Sequence, residues 1–290
     1  MATKKQKLDA LIFIDTNIFL DFYRNRKSDI SLKYLELIDK HKDKIITSSQ
    51  VEMEFKKNRQ IVLLESIRNL KIVDGEETSI PTILSQTKAA ELVVEKKKEI
   101  SQQQTKLKEK IEKIFKNPVF NDPVYKSLQR LFKSKSTLNL NRTNEGRVAV
   151  RDLAKKRFML GYPPRKDKDT SFGDAINWEW IIQCAIDNHK DIIIVSRDSD
   201  YGVTYYKEQF LNDWLLQEFK QRVSQKRKII LTDKLNVAFN LISVPVTKAM
   251  KAEEDKFIIA SGMTASNTII YSNATGGTAY NLHSRQPNEE

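Results

Sequence analysis

Apolar residues follow two rhythms along this chain, and polar residues mark where each rhythm stops. Leu11-Ile12-Phe13-Ile14 and Asp191-Ile192-Ile193-Ile194-Val195 are short, nearly unbroken apolar runs, the pattern of strands buried on both faces of a parallel sheet. Ile45-Ile46-Thr47 and Lys228 to Leu231 repeat the pattern more briefly. Between these runs the spacing turns helical. Ile18, Phe19, Phe22 and Tyr23 predict a helix after the first strand, and Ser31 to Asp39 a second one. A third runs from Val51 to about Leu70, with Ile61, Leu64 and Ile67 on its inner face. Ser171-Phe172-Gly173-Asp174 opens a strong helix whose Asp174, Trp178, Ile181, Ile182 and Ala185 share one side. Tyr205 to Val223 reads as an amphipathic helix and Leu235 to Leu241 as a shorter one. The alternation predicts an α/β fold, a parallel sheet flanked by helices.

Two regions depart from that alternation. Thr82 to Lys116 is rich in Lys, Glu and Gln and has neither Gly nor Pro, which predicts one long, partly exposed helix. It would reach about 50 Å at about 1.5 Å per residue, longer than a compact core requires. Pro118 and Pro123 end it, and Val124 to Lys133 and Glu145 to Leu160 predict helices packing back against it. Residues 82–160 therefore read as a helical insertion within a domain spanning 1–245. Residues 246–290 form a C-terminal tail. Ala249 to Phe257 is helical in pattern, and Asn267 to Tyr271 and Ala279 to Leu282 flank either a hairpin or a flexible connection.

Composition narrows the chemistry. A formal charge of +12 over 290 residues points to a polyanionic partner, although the basic residues lie within mixed Lys/Glu helices. The insertion is then either a salt-bridged solvent arm or a basic clamp for nucleic-acid phosphates. Nothing resembles a phosphate-cradling glycine loop. Cys184 is the one cysteine, set among apolar neighbours, so a disulfide within the chain and a thiolate zinc site are excluded. The basic start precedes an apolar run that Asp15 interrupts, too short for a signal peptide or a membrane span. A cytoplasmic protein without membrane contact is expected.

Acids recur at comparable places: Asp15 after the first strand, Glu54 and Asp174 at helix starts, and Asp198 after the Ile192–Val195 run. In a right-handed parallel sheet these places converge on one edge. Bare carboxylates about 4 Å apart repel by roughly 4 kcal/mol at an effective dielectric near about 20, so such a cluster needs a proton or a cation. Oxygen ligands without nearby Cys or His favour Mg²⁺ or Mn²⁺ over zinc. Ions held this way activate water and stabilise charge on a phosphodiester.

These residues resemble a family. Ile14-Asp15-Thr16-Asn17 through Tyr23-Arg24, the run Gln50-Val51-Glu52-Met53-Glu54-Phe55-Lys56-Lys57-Asn58-Arg59, and Gly173-Asp174 with Ser196-Arg197-Asp198 look like the PIN-domain nucleases. The likeness is closest to the larger bacterial PIN-like group that carries a helical insertion, and it spans about residues 11 to 240. The Pro163-Pro164 turn with Asp167, followed by Phe172-Gly173-Asp174 and Trp178, adds to it. The resemblance implies divalent-metal-dependent cleavage of nucleic acid, most often RNA. It implies Asp15, Glu54, Asp174 and Asp198 as the catalytic metal ligands, Asp200 as a further metal-binding acid in the last loop, and Glu52 as solvent-facing.

Asn17 would orient Asp15 or the turn, while Asn177 and Asp167 are supporting candidates or, respectively, a surface amide and a turn residue. Arg24, Arg59 and Arg197 are candidates for phosphate contacts, or else for neutralising the acids or pairing on the surface. Tyr201, Tyr205 and Tyr206 either stack on bases or pack. A toxin or phage-defence ribonuclease is the expectation, restrained by an antitoxin, a defence-complex subunit or self-association. A structure-specific DNA nuclease, suggested by the insertion, and a non-catalytic nucleic-acid-binding or assembly subunit are the alternatives.

Overall fold

The computed structural model describes residues 7–24, 28–68, 80–165, 171–206, 208–260, 267–271 and 280–281. Chain order is β1 (Ala10–Ile14), α1 (Thr16–Leu20), α2 (Ser28–Lys40), β2 (Ile45–Ser48), α3 (Ser49–Arg68), α4 (Lys88–Lys116), α5 (Pro118–Asn121), α6 (Pro123–Phe132), β3 (Asn139–Leu140) and α7 (Arg147–Met159). It continues with α8 (Gly173–Asn188), β4 (Asp191–Val195), β5 (Gly202–Tyr205), β6 (Glu208–Leu211), α9 (Asp213–Arg222), β7 (Ile229–Thr232), α10 (Leu235–Leu241), α11 (Lys248–Ala260), β8 (Asn267–Tyr271) and β9 (Tyr280–Asn281).

Five parallel strands form the centre in the order β3-β2-β1-β4-β7. The two apolar runs are neighbours, with Ile12 opposite Ile193 and Ile14 opposite Val195. Every residue of β1 is buried, as a strand covered on both faces must be. From β1 the chain first builds outward to β2 and β3, then returns to the other side of β1 for β4 and β7. That reversal opens a crevice at the C-terminal ends of β1 and β4, where sheets of this kind place their ligands.

The long helix is α4, with Thr87 as its N-cap and a 3-10 turn at Thr82–Leu84 ahead of it. Ala90 is its one buried residue, so α4 stands in solvent over nearly its whole length. The rest of the expected insertion rejoins the core. Val124, Leu128, Leu131 and Phe132 of α6 are buried, α6 packs on α2, and β3 extends the sheet beside β2. Asn139 sets that strand by donating its side-chain amide to the carbonyls of Phe132 and Ser134.

A helix over Tyr205 to Val223 is not what forms. Gly202–Tyr205 and Glu208–Leu211 pair as the β5–β6 hairpin, and the helix is Asp213–Arg222, started by the Asn212 side chain. The apolar positions Phe210 and Leu211 read equally as strand or helix; Gly202 decides for the hairpin, because a Cβ there would collide with the carbonyl of Phe210.

The segment after Pro245 is attached to the domain. β8 pairs antiparallel with β7 and parallel with β6, and β9 pairs with β8. In α11, Glu254 is 1% exposed. Its carboxylate accepts from the Leu235 and Asn236 N–H groups at 2.8 and 2.9 Å, from the Asn236 amide at 2.8 Å and from the Tyr34 hydroxyl at 2.8 Å. A carboxylate at the start of α10 meets unpaired N–H groups. No described helix is long and apolar enough to cross a membrane. Glu254→Ala is expected to lower stability by about 3 kcal/mol, read from urea midpoints, because it leaves buried donors without their acceptor.

Candidate active site

Asp15 ends β1, and its N–H continues the sheet by donating to Val195 O at 2.9 Å. The side chain is clamped from three directions: Thr16 N–H donates to Oδ1 at 2.6 Å, and the Ser196 hydroxyl and Asn17 amide donate to Oδ2 at 2.5 and 2.9 Å. Ser196 is the hinge of the crevice. It follows β4, donates its hydroxyl hydrogen bond to Asp15 and accepts the N–H of Asp198 at 3.1 Å.

Glu54 arrives from α3. Gln50, one turn earlier, donates to Oε1 at 2.7 Å, and the Thr16 hydroxyl donates to Oε2 at 3.0 Å. Gly173 faces this pair: any Cβ there would run into Glu54 Oε1 and Gln50 Nε2. Asp174 follows in the first turn of α8, where the helix dipole favours a carboxylate. Asp15, Glu54, Asp174 and Asp198 thus line one open pocket of about 250 Å³, together with Thr16, Asn17, Leu20, Lys57, Asn58 and Ser171.

Burial raises the Asp15 carboxyl to about 7, and the negative charges of Asp198 and Glu54 push the same way against the Ser196 and Thr16 hydrogen bonds. Tyr201 reports the same field. It is fully buried against Phe13, and burial, then the charges of Asp15, Asp174, Glu54 and Asp200, hold its phenol neutral well above the usual range. Its place in the core rules out base stacking by Tyr201; Tyr205 and Tyr206 lie exposed on the β5–β6 hairpin.

Other expected residues fall in different places. Asn17 orients Asp15. Asp200 is buried and does not line the pocket. Asn177 is no surface amide: it is fully buried one turn beyond Asp174 and accepts from Ser48 Oγ at 3.0 Å. Asp167 lies outside the described residues. Glu52 pairs with Lys56, away from the pocket.

Arg59 is not placed to meet phosphate. It is 3% exposed, bonded to Asp122 at 2.6 Å and to Tyr23 Oη at 3.2 Å, and it lies over the Tyr125 ring. Arg197 is likewise internal, paired with Asp21 and set over Phe257. Arg24 pairs with the same Asp21 but keeps 40% of its side chain exposed. The sequence reading missed Lys57, the cation lining the pocket, and the positioning roles of Ser196, Thr16 and Gln50. The helical spacing of Gln50, Glu54, Lys57 and Asn58 on one face of α3 was the available signal.

Among the described residues, no three or more His, Cys, Asp or Glu side chains close into a ready-made cation cage. The donor chemistry nonetheless fits Mg²⁺ or Mn²⁺. The pocket offers carboxylate oxygens with no Cys or His among its described lining residues.

The PIN domain family matches residues 12–201, more than half of the chain. The chain belongs to the PIN domain family. No curated protein and no solved structure matches it. PIN domains are generally metal-dependent nucleases acting on nucleic acid, and the match to the PIN family spans Asp15, Glu54, Asp174 and Asp198.

Two outcomes test this geometry. The proton held by folded Asp15 is lost from the unfolded chain near the ordinary aspartate value of 3.8, so metal-free stability falls as pH rises from there to about 7 and levels off above. The loss is at most about 4 kcal/mol, and urea midpoints in chelator should show Asp15→Asn without that component of the slope. Gly173→Ala displaces Glu54 and should weaken Mn²⁺ affinity about tenfold, measured by calorimetry.

Proposed function

We propose that this PIN domain protein is an endoribonuclease that hydrolyses RNA phosphodiester bonds, with Asp15, Glu54, Asp174 and Asp198 holding Mg²⁺ or Mn²⁺. The observation that carries the reading is the convergence of these acids on one open pocket, with Asp15 raised by burial and by its neighbours. A divalent ion bound there supplies the positive charge that activates water and stabilises the charge developing on phosphorus. The chain's own residues do the positioning: Ser196 and Asn17 hold Asp15, and Gln50 and Thr16 hold Glu54. Lys57 lines the pocket and Arg24 is exposed, giving charge-assisted partners for a phosphate. The +12 charge suits a nucleic-acid substrate, and the family resemblance favours RNA. A toxin or phage-defence role, held in check by an antitoxin, a defence-complex subunit or self-association, belongs to the same reading.

The solvent-standing α4 favours a second reading, a nuclease for branched DNA. Arg59 donates to the carbonyl of Ile114 at 3.3 Å, which ties the end of α4 to the helix bearing Glu54. A cleavage time course on labelled single-stranded RNA, linear DNA and flapped DNA, with Mn²⁺, Mg²⁺ or chelator, separates the two. RNA should be cut only with metal, and Asp15→Asn and Asp198→Asn should each reduce the rate by more than about a hundredfold. Preference for the flap would select the DNA reading. Binding without cleavage, unchanged by Asp15→Asn, would leave a nucleic-acid-binding subunit.

A further inference from the structure

A second hollow, of about 200 Å³, lies between the α7–α8 connection and α9. Tyr162 and Trp214 form its wall, with ring centroids 5.0 Å apart and planes tilted by 44°. Of the chain's three tryptophans, Trp178 and Trp180 are buried, whereas Trp214 is 44% exposed. Gln217 and Gln221 line the hollow from the same face of α9, at three and seven residues from Trp214. Their amides each offer donors and acceptors.

The charges beneath are balanced internally. Glu218 pairs with Arg157 and Arg222, and Glu179 with the same two arginines. The hollow therefore favours neither an anion nor a cation. It is also smaller than the about 300 Å³ at which pockets for drug-sized ligands begin, which suits one planar ring system.

Its location ties it to the acids. Trp178 Nε1 donates to Glu218 Oε2 at 3.0 Å, and Trp178 lies four residues along α8 from Asp174, about 6 Å of helical rise. The α7–α8 connection itself contributes Tyr162 to this hollow and Ser171 to the acidic pocket.

We propose that the Tyr162–Trp214 hollow binds one unstacked base of single-stranded RNA, which rests on the nuclease reading for its substrate. The base stacks on the exposed indole, as bases do on aromatic platforms, and the glutamine amides meet its edge.

The exposed indole supplies the test. The full chain carrying Asp198→Asn, without divalent ion, is titrated with a short single-stranded RNA while tryptophan fluorescence is read. The RNA should quench the signal, and a fully abasic chain of equal length should not. Trp214→Ala and Tyr162→Ala, each added to that background, should weaken binding about tenfold by filter retention, whereas Trp214→Phe should retain it. Circular dichroism confirms that each variant is folded, and Tyr162→Ala decides alone if Trp214→Ala is not. Unchanged affinity in a folded alanine variant, or equal quenching by the abasic chain, overturns the proposal. Quenching by RNA in a protein whose parent cuts no RNA keeps the base site and removes only the nuclease reading. RNA cleavage with unaltered KM in both alanine variants does the reverse.

Discussion

Carboxylates that share a pocket repel one another, and the architecture around Asp15 is a way of living with that repulsion. Asp15 and Glu54 are held by neutral donors: a backbone N–H, the hydroxyls of Thr16 and Ser196, and the amides of Asn17 and Gln50. Such donors fix orientation without cancelling charge. The nearby guanidinium groups are engaged elsewhere, Arg197 on Asp21 and Arg59 on Asp122. Neither of these two guanidinium groups lines the pocket, which is bordered by four carboxylates and Lys57. The sheet provides the rigidity this needs, since Ser196 links the buried C-terminal ends of the neighbouring strands β1 and β4.

Sequence was most informative where the local pattern and the tertiary answer coincide. The runs at Leu11 and Ile192 read as buried strands, and an acid directly after such a strand lies at its C-terminal edge. Glu54 and Asp174 were legible through the ordered motifs around them. Arg59 was not, because its partner Asp122 lies 63 positions away and no local pattern announces the pairing. Asn177 was similar, its burial depending on Ser48 from a distant strand. The β5–β6 hairpin was hidden for another reason: short apolar runs satisfy both periods, and the contact that excludes extra bulk at Gly202 is visible only once the strands pair.

The regions added to the central sheet differ in how they are held. The C-terminal addition is tied in by a buried carboxylate with four donors and by strand pairing at β7. The segment after α5 is bound by apolar packing, through Val124, Leu128 and Leu131. Among the described residues, α4 has neither device over most of its length.

That last difference makes α4 responsive to its medium. A helix with one buried residue draws little support from packing, and helices in water are marginal without it. What remains is local: Thr87 at the N-cap and surface pairs such as Lys96–Glu99 and Glu112–Lys116. Such pairs fade as ionic strength rises, whereas the apolar core does not depend on them. Salt concentration therefore acts on the helicity of the arm separately from the integrity of the body that carries the acids.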